Sequence, residues 1–318
     1  MIPRRVAFPL IGSLALLPWA LAESQSPAGR VTERRIAPAS VNPRITQWTA
    51  NHFVWLPPSA DGGQIMLLLA GSNGRPANFR LIGAVAAQQG YRAIGLMYPD
   101  DLAVLAACAR DRDRACMARM RGEIIEGVDQ SPHLNVDRDN SIDGRLADLL
   151  RYLARDYPSE GWENFLAADG SPRWDRIAVG GLSQGGGHAA YIAKLRSVPR
   201  VVMFGAPADG IRGAVAPWMQ IGATPAERYY GFRHARDQFR SIPANWKALG
   251  LDEFGGVKDV DANTANFGGT HLLTTDLLPA SGSYEQAHAS VFGDGPTPRR
   301  PGGAPVFEAA WRHLLGTP

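Results

Sequence analysis

Short unbroken apolar runs alternate with amphipathic ones along most of the chain. Gln64–Gly71 (QIMLLLAG) is a continuous apolar stretch ending in glycine, the pattern of a strand buried on both faces. Residues 76–90 follow, with Phe79, Ile82, Val85 and Ala86 on one helical face and Gly90 to stop it. Tyr91–Pro99 (YRAIGLMYP) reads as the next strand, which makes a strand–helix–strand unit and implies parallel pairing. The rhythm resumes at 140–158, where Ile142, Leu146, Leu149, Leu150 and Leu153 form a helical stripe. RIAVGG (176–181) predicts a strand, SQGGGHAAYIAKL (183–195) a helix, and RVVMFGAP (200–207) another strand. ERYYGFRHARD (227–237) and THLLTTDLL (270–278) predict two more. The chain closes on a helix with Val306, Phe307, Ala310, Trp311, Leu314 and Leu315 facing inward. Such alternation predicts an α/β protein: a mostly parallel central sheet with helices on both faces.

Three stretches depart from this rhythm. Residues 1–22 begin with Arg4-Arg5, continue through an apolar run broken by Pro9 and Pro18, and end in small residues, as a cleaved secretory signal peptide does. The run is short and proline-broken for a membrane span, and no later segment is long and apolar enough to cross a bilayer. A transmembrane anchor is the alternative use, and Arg4-Arg5 is a faint twin-arginine signal. Residues 23–50 show little periodicity and read as an irregular leader or an edge element. Residues 100–139 interrupt a single domain, 51–318, as a long lid-like insertion over the strand ends. No internal repeat is visible.

Composition is that of an ordinary globular chain: 45% apolar and 20% charged residues in 318. Without residues 1–22 the balance is 31 basic to 30 acidic, so the basic pI of 9.0 carries no argument for nucleic acid. The chain has two cysteines, Cys108 and Cys116, eight positions apart. In an exported protein, periplasmic or secreted, they predict one local disulfide, stabilising the loop by roughly 2–3 kcal/mol. Zinc binding and unpaired thiols are the alternatives, and no second Cys or His pair stands near them. VDRDNSIDG (136–144) lacks the glycine and distal glutamate of a calcium loop, so helix capping by Asn140 or Ser141 is the expectation there. No metal and no cofactor is expected.

The chemistry concentrates at GLSQG. Ser183 stands two residues after Gly181 and two before Gly185, between a predicted strand and a predicted helix. That is the G-x-S-x-G elbow, in which a sharp turn lifts a hydroxyl above the sheet edge. The helix start beneath it offers free N–H groups to a developing oxyanion. A glycine-rich turn that happens to hold serine is the bland reading. A dinucleotide loop would need G-x-G-x-x-G and a later acid, and GGLSQGGG has no clean version.

On this motif and on the element order from Gln64 to Leu315, the chain resembles the α/β-hydrolase superfamily, and within it exported bacterial serine hydrolases of the esterase, lipase and cutinase-like type. The resemblance implies a Ser…Asp…His triad in chain order. It points to Asp237 as the acid, with Asp209 in GAPADG as competitor. It points to His288, on the loop after the last strand, as the base, with His271 at the start of that strand as the other candidate. His188 and His313, each in a helix, read as packing or surface residues; His234 precedes the acid and reads as structural, His52 precedes the elements of the site, and His133 belongs to the insertion. The oxyanion donors would be the N–H of Gln184 and one from Ser72 or Asn73; Ala70-Gly71-Ser72-Asn73-Gly74 departs from the family's common His-Gly pattern, and the two stay unseparated. Trp218 stands where substrate loops gather and is a candidate pocket residue or a buried support. The expected substrate is a small-molecule or polymeric ester. Amide or peptide cleavage on the same triad, or a non-catalytic binding protein of the same fold, are the alternatives.

Overall fold

The computed structural model describes, apart from Met1, residues 30–59, 63–211, 213–220, 222–262 and 266–318; the expected signal peptide and the leader's first residues lie outside this set. In chain order the strands are β1 (Thr32–Ile36), β2 (His52–Leu56), β3 (Ile65–Leu69), β4 (Arg92–Leu96), β5 (Ile177–Leu182), β6 (Val201–Phe204), β7 (Gly210–Ile211), β8 (Ala214–Val215), β9 (Tyr229–His234), β10 (Lys258–Asp259) and β11 (Leu272–Thr275). The α-helices are α1 (Pro38–Val41), α2 (Arg80–Gln88), α3 (Val104–Cys108), α4 (Cys116–Glu126), α5 (Ile142–Asp156), α6 (Gln184–Leu195), α7 (Ile242–Ala248), α8 (Ala287–Ser290) and α9 (Glu308–Leu315).

Among the described residues, nine strands form one sheet in the order β1-β2-β4-β3-β5-β6-β9-β11-β10. From β4 to β10 every pairing is parallel; β1–β2 and β2–β4 are antiparallel. The parallel core follows from strands with apolar side chains on both faces: all five residues of β3 are inaccessible. Helix α5 buries the predicted stripe of Ile142, Leu146, Leu149, Leu150 and Leu153. Its N-cap is Ser141, whose Oγ accepts the Gly144 N–H at 3.1 Å, so the acidic segment before it is a capping turn.

The described part of the leader supplies an edge strand. Thr32–Ile36 pairs antiparallel with β2, and its polar side chains are tied down: Arg34 bonds Glu160 at 2.6 Å, and Glu33 accepts the Trp55 indole N–H at 3.0 Å. An edge strand held by ion pairs leaves little apolar alternation to read. The stretch 100–139 carries two helices, α3 and α4. Cys108 at the end of α3 and Cys116 at the start of α4 are disulfide-bonded with Cα atoms 5.8 Å apart. No helix among the described residues is long and apolar enough to cross a membrane.

Candidate active site

Strand β5 ends at Leu182 and α6 begins at Gln184, leaving Ser183 to make the whole turn. It does so at φ +54°, a conformation that strains any residue with a side chain. The glycines around it make the turn feasible. A methyl group on Gly185 would overlap the carbonyl oxygens of Leu69 and Ala70 at the end of β3, and one on Gly187 would overlap the Arg121 guanidinium. The opening turn of α6 therefore sits directly against the sheet edge, and its first amides are free of intrahelical acceptors.

The Ser183 N–H donates to the Phe204 carbonyl at the end of β6, at 2.8 Å. The next residue, Gly205, lies against His288 and Asp237. A Cβ there would stand 2.8 Å from His288 Cε1 and 3.2 Å from Asp237 Oδ2. The His288 Nδ1–H donates to Asp237 Oδ2 at 2.7 Å, across 51 residues of chain. Asp237 is fully buried, and its other oxygen accepts the Phe239 N–H at 2.9 Å. Phe239 meets the imidazole edge-on at 4.8 Å. Because Nδ1 must carry the proton in that bond, Nε2 is the basic nitrogen of the neutral ring. It is buried and has no partner among the described residues.

Asp209 is committed elsewhere. It takes Arg121 Nε at 2.8 Å and Nη2 at 2.5 Å, and the Trp218 indole N–H at 3.0 Å. Trp218 thus supports Asp209, packs on Tyr191, and does not line the cavity at Ser183. The remaining Arg121 nitrogen, Nη1, donates to the Gln184 carbonyl at 3.1 Å. Arg121 belongs to no motif in the sequence. Its sequence signal is an arginine on the apolar face of α4, between Met117, Met120 and Ile124, matched by a glycine at 187 that makes room for it.

The geometry also separates Ser72 from Asn73. The Asn73 N–H donates to the Asp100 carbonyl at 3.0 Å and Asn73 faces a different cleft. Ser72 lines the cavity beside Ser183 and Gln184, its Oγ bonds Gln184 Oε1 at 3.1 Å, and no acceptor among the described residues takes its N–H. Gln184 Oε1 also accepts the Val104 N–H at 2.9 Å, which docks the insertion's first helix on the elbow. The cavity holds about 340 Å³, and its apolar wall is Ala103, Val104, Leu105, Ala106, Ala208 and Phe239.

The other histidines are occupied away from this cavity. His52 Nδ1 accepts the Met97 N–H, and burial brings its pKa down to about 3. His188 is buried against Tyr98 and Arg121, with its pKa held well below the ordinary range by burial first and Arg121 second. His271 is sandwiched between Tyr230 and Phe254, with Nδ1 on the Tyr229 carbonyl. His234 and His313 bond main-chain carbonyls, and His133 pairs with Asp111. Asp111, His133 and Cys116 approach one another as metal ligands would, yet the Cys116 sulfur belongs to the disulfide and has no thiolate to offer.

Asp100 is a strongly perturbed carboxylate. Burial first, then neighbouring Asp101, push its pKa up to about 7. An unfolded-chain Asp titrates near 3.9, so between about pH 4 and 7 the folded state holds a proton that the unfolded state has lost. Its contribution to stability therefore falls as pH rises through that window, by at most about 1.4 kcal/mol per unit, and is level above pH 7. Asp100→Asn is expected to gain stability relative to the parent from pH 4 to 7 and hold a constant difference beyond. Urea unfolding of both proteins from pH 4 to 8 measures this, and a pH-independent difference would refute it.

No protein-family model matches the chain, and no curated protein matches it in sequence.

Proposed function

We propose that the protein is an exported serine hydrolase of the α/β-hydrolase fold that cleaves carboxylic esters through an acyl-enzyme. The observation that carries this is the His288–Asp237 pair closing on Gly205, the residue after the peptide that holds the Ser183 N–H. In the reaction, His288 Nε2 takes the Ser183 hydroxyl proton while Oγ bonds to the acyl carbon. The carbonyl electrons move onto oxygen, where the Gln184 and Ser72 N–H groups receive the charge. The C–O bond to the alcohol then breaks, and the alcohol leaves with the Nε2 proton. Water repeats the cycle against the acyl-serine and returns the enzyme. Asp237 steadies the imidazolium throughout.

Residues 100–139 serve as the cover of the acyl cavity, with α3 as its wall and the disulfide tying its far end to α4. That disulfide suits an oxidising compartment, in keeping with export.

A fluorophosphonate probe tests the proposal. It should label the protein at one site, and Ser183→Ala should abolish labelling with its circular dichroism unchanged. Labelling that survives in Ser183→Ala would reject the assignment. Matched ester, amide and peptide substrates then separate esterase from peptidase.

A further inference from the structure

The loop that follows β3 divides two cavities of opposite character. Ser72 faces the apolar one at Ser183. Asn73 and Gly74 face a polar cleft of about 460 Å³, whose other walls include Trp48, Arg75, Asp100 and Asp101. Gly71, at the root of this loop, is in contact range of Ser183, since a Cβ there would stand 3.2 Å from the serine Cβ. The polar cleft therefore begins at Asn73, two residues along the loop from that contact.

Asp100 is the feature that calls for a ligand. It is 2% exposed, and its Oδ2 has no hydrogen-bond partner among the described residues. A buried carboxyl oxygen with nothing to bond is an exception in folded proteins, and one that lines a cleft marks a binding position. Around it, the side chains of Asn73, Arg75 and Asp101 are exposed. Trp48 adds a half-buried ring.

Resting on the esterase reading, we infer that this cleft binds the alcohol portion of the substrate, and that this portion is a polyhydroxylated group such as a sugar. Adjacent hydroxyls match a carboxyl, an amide and a guanidinium set around one cleft, and the apolar face of a sugar ring suits an indole. A cationic alcohol is disfavoured. Arg75 lines the same cleft, and the Arg145 guanidinium already stands 5.9 Å from the Trp48 ring centroid. Asp100, half protonated near neutral pH, also offers less than a full negative charge. The substrate would then be an ester joining an apolar acid, seated between Val104 and Phe239, to a sugar.

Three butyrate esters with the same acyl group test this: methyl butyrate, glucose 6-butyrate and butyrylcholine. The glucose ester is expected to have a kcat/KM at least tenfold above the methyl ester, mainly through KM. Asp100→Ala should bring that ratio close to one, and the surface variants Arg75→Ala and Asp101→Ala should each lower it about threefold. The surface pair keeps the test intact should Asp100→Ala fold poorly. A parental ratio within twofold of one, a preference for butyrylcholine, or a ratio untouched by all three variants would overturn the inference. Calorimetric titration of Ser183→Ala with methyl glucoside separates the two readings. Binding that Asp100→Ala abolishes upholds the cleft even if no ester is cleaved; ester cleavage with no such binding overturns the cleft and spares the esterase.

Discussion

Replacing Ser183 by alanine is expected to lower kcat on a simple carboxylic ester by on the order of 10⁴–10⁶-fold, and replacing His288 by alanine to lower it about as far. The two losses should not multiply. Ser183 without a base keeps its proton, and His288 without the hydroxyl has no proton to take, so the double variant should match the single ones within about tenfold. Asp237→Asn should fall short of both: an amide still accepts from Nδ1 but withdraws the charge that steadies an imidazolium. Asp209→Asn should leave the imidazole's partner in place, because Asp209 is bonded to Arg121 and Trp218 instead. Initial rates with a chromogenic ester measure all five variants. Independent, multiplying effects of Ser183 and His288 would sink the account, since they would mean that the two side chains do not act on one proton.

The parts legible in the sequence are those where one residue, or one local period, decides the outcome. Unbroken apolar runs placed β3, β5 and β6, and a 3.6-residue stripe placed α5, because burial on both faces or on one leaves a direct mark. The elbow was legible for the same reason: Gly185 must lack a side chain where the backbone of Leu69 and Ala70 passes. Edge β1 leaves no such mark, because ion pairs such as Arg34–Glu160 hold it. Helix α7 was missed because it begins with Ile242-Pro243 and has only seven residues; its task is to hold the loop after β6, with Asn245 Nδ2 on the Pro207 and Asp209 carbonyls and the Trp246 indole on the Ala206 carbonyl. The choice between Ser72 and Asn73 depended on which N–H the Asp100 carbonyl claims, a contact across 27 residues that no local pattern encodes. Trp218 and Arg121 share that difficulty, for each is explained by Asp209 and not by its own neighbours in sequence.

Arg121 is expected to be the costliest residue outside the proposed triad. Its guanidinium is 2% exposed, bonded twice to a fully buried Asp209 and once to the carbonyl of Gln184, whose N–H is the proposed oxyanion donor. Arg121→Met removes the cation and strands Asp209 as an unpaired buried charge, which should destabilise the protein by about 3–5 kcal/mol. It also frees the Gln184–Gly185 peptide, whose carbonyl Arg121 holds, and a shift passed through Gln184 to the N–H on its other side should displace the proposed oxyanion donor and lower kcat by about 10²-fold with little change in KM. These effects separate in the double variant Arg121→Met/Asp209→Leu. With both charges gone and the volume largely kept, most of the stability should return. The rate should not, because nothing then anchors the Gln184 carbonyl. Arg121→Lys should behave in the reverse sense: a point charge can still face Asp209, but it lacks the planar fork that also reaches Gln184, so stability suffers less than catalysis. Thermal unfolding and the rate of fluorophosphonate labelling, measured on the same samples, test this. Parental labelling by the double variant would reduce Arg121 to a structural ion pair, whereas slow labelling at recovered stability would make it the residue that positions the oxyanion donor.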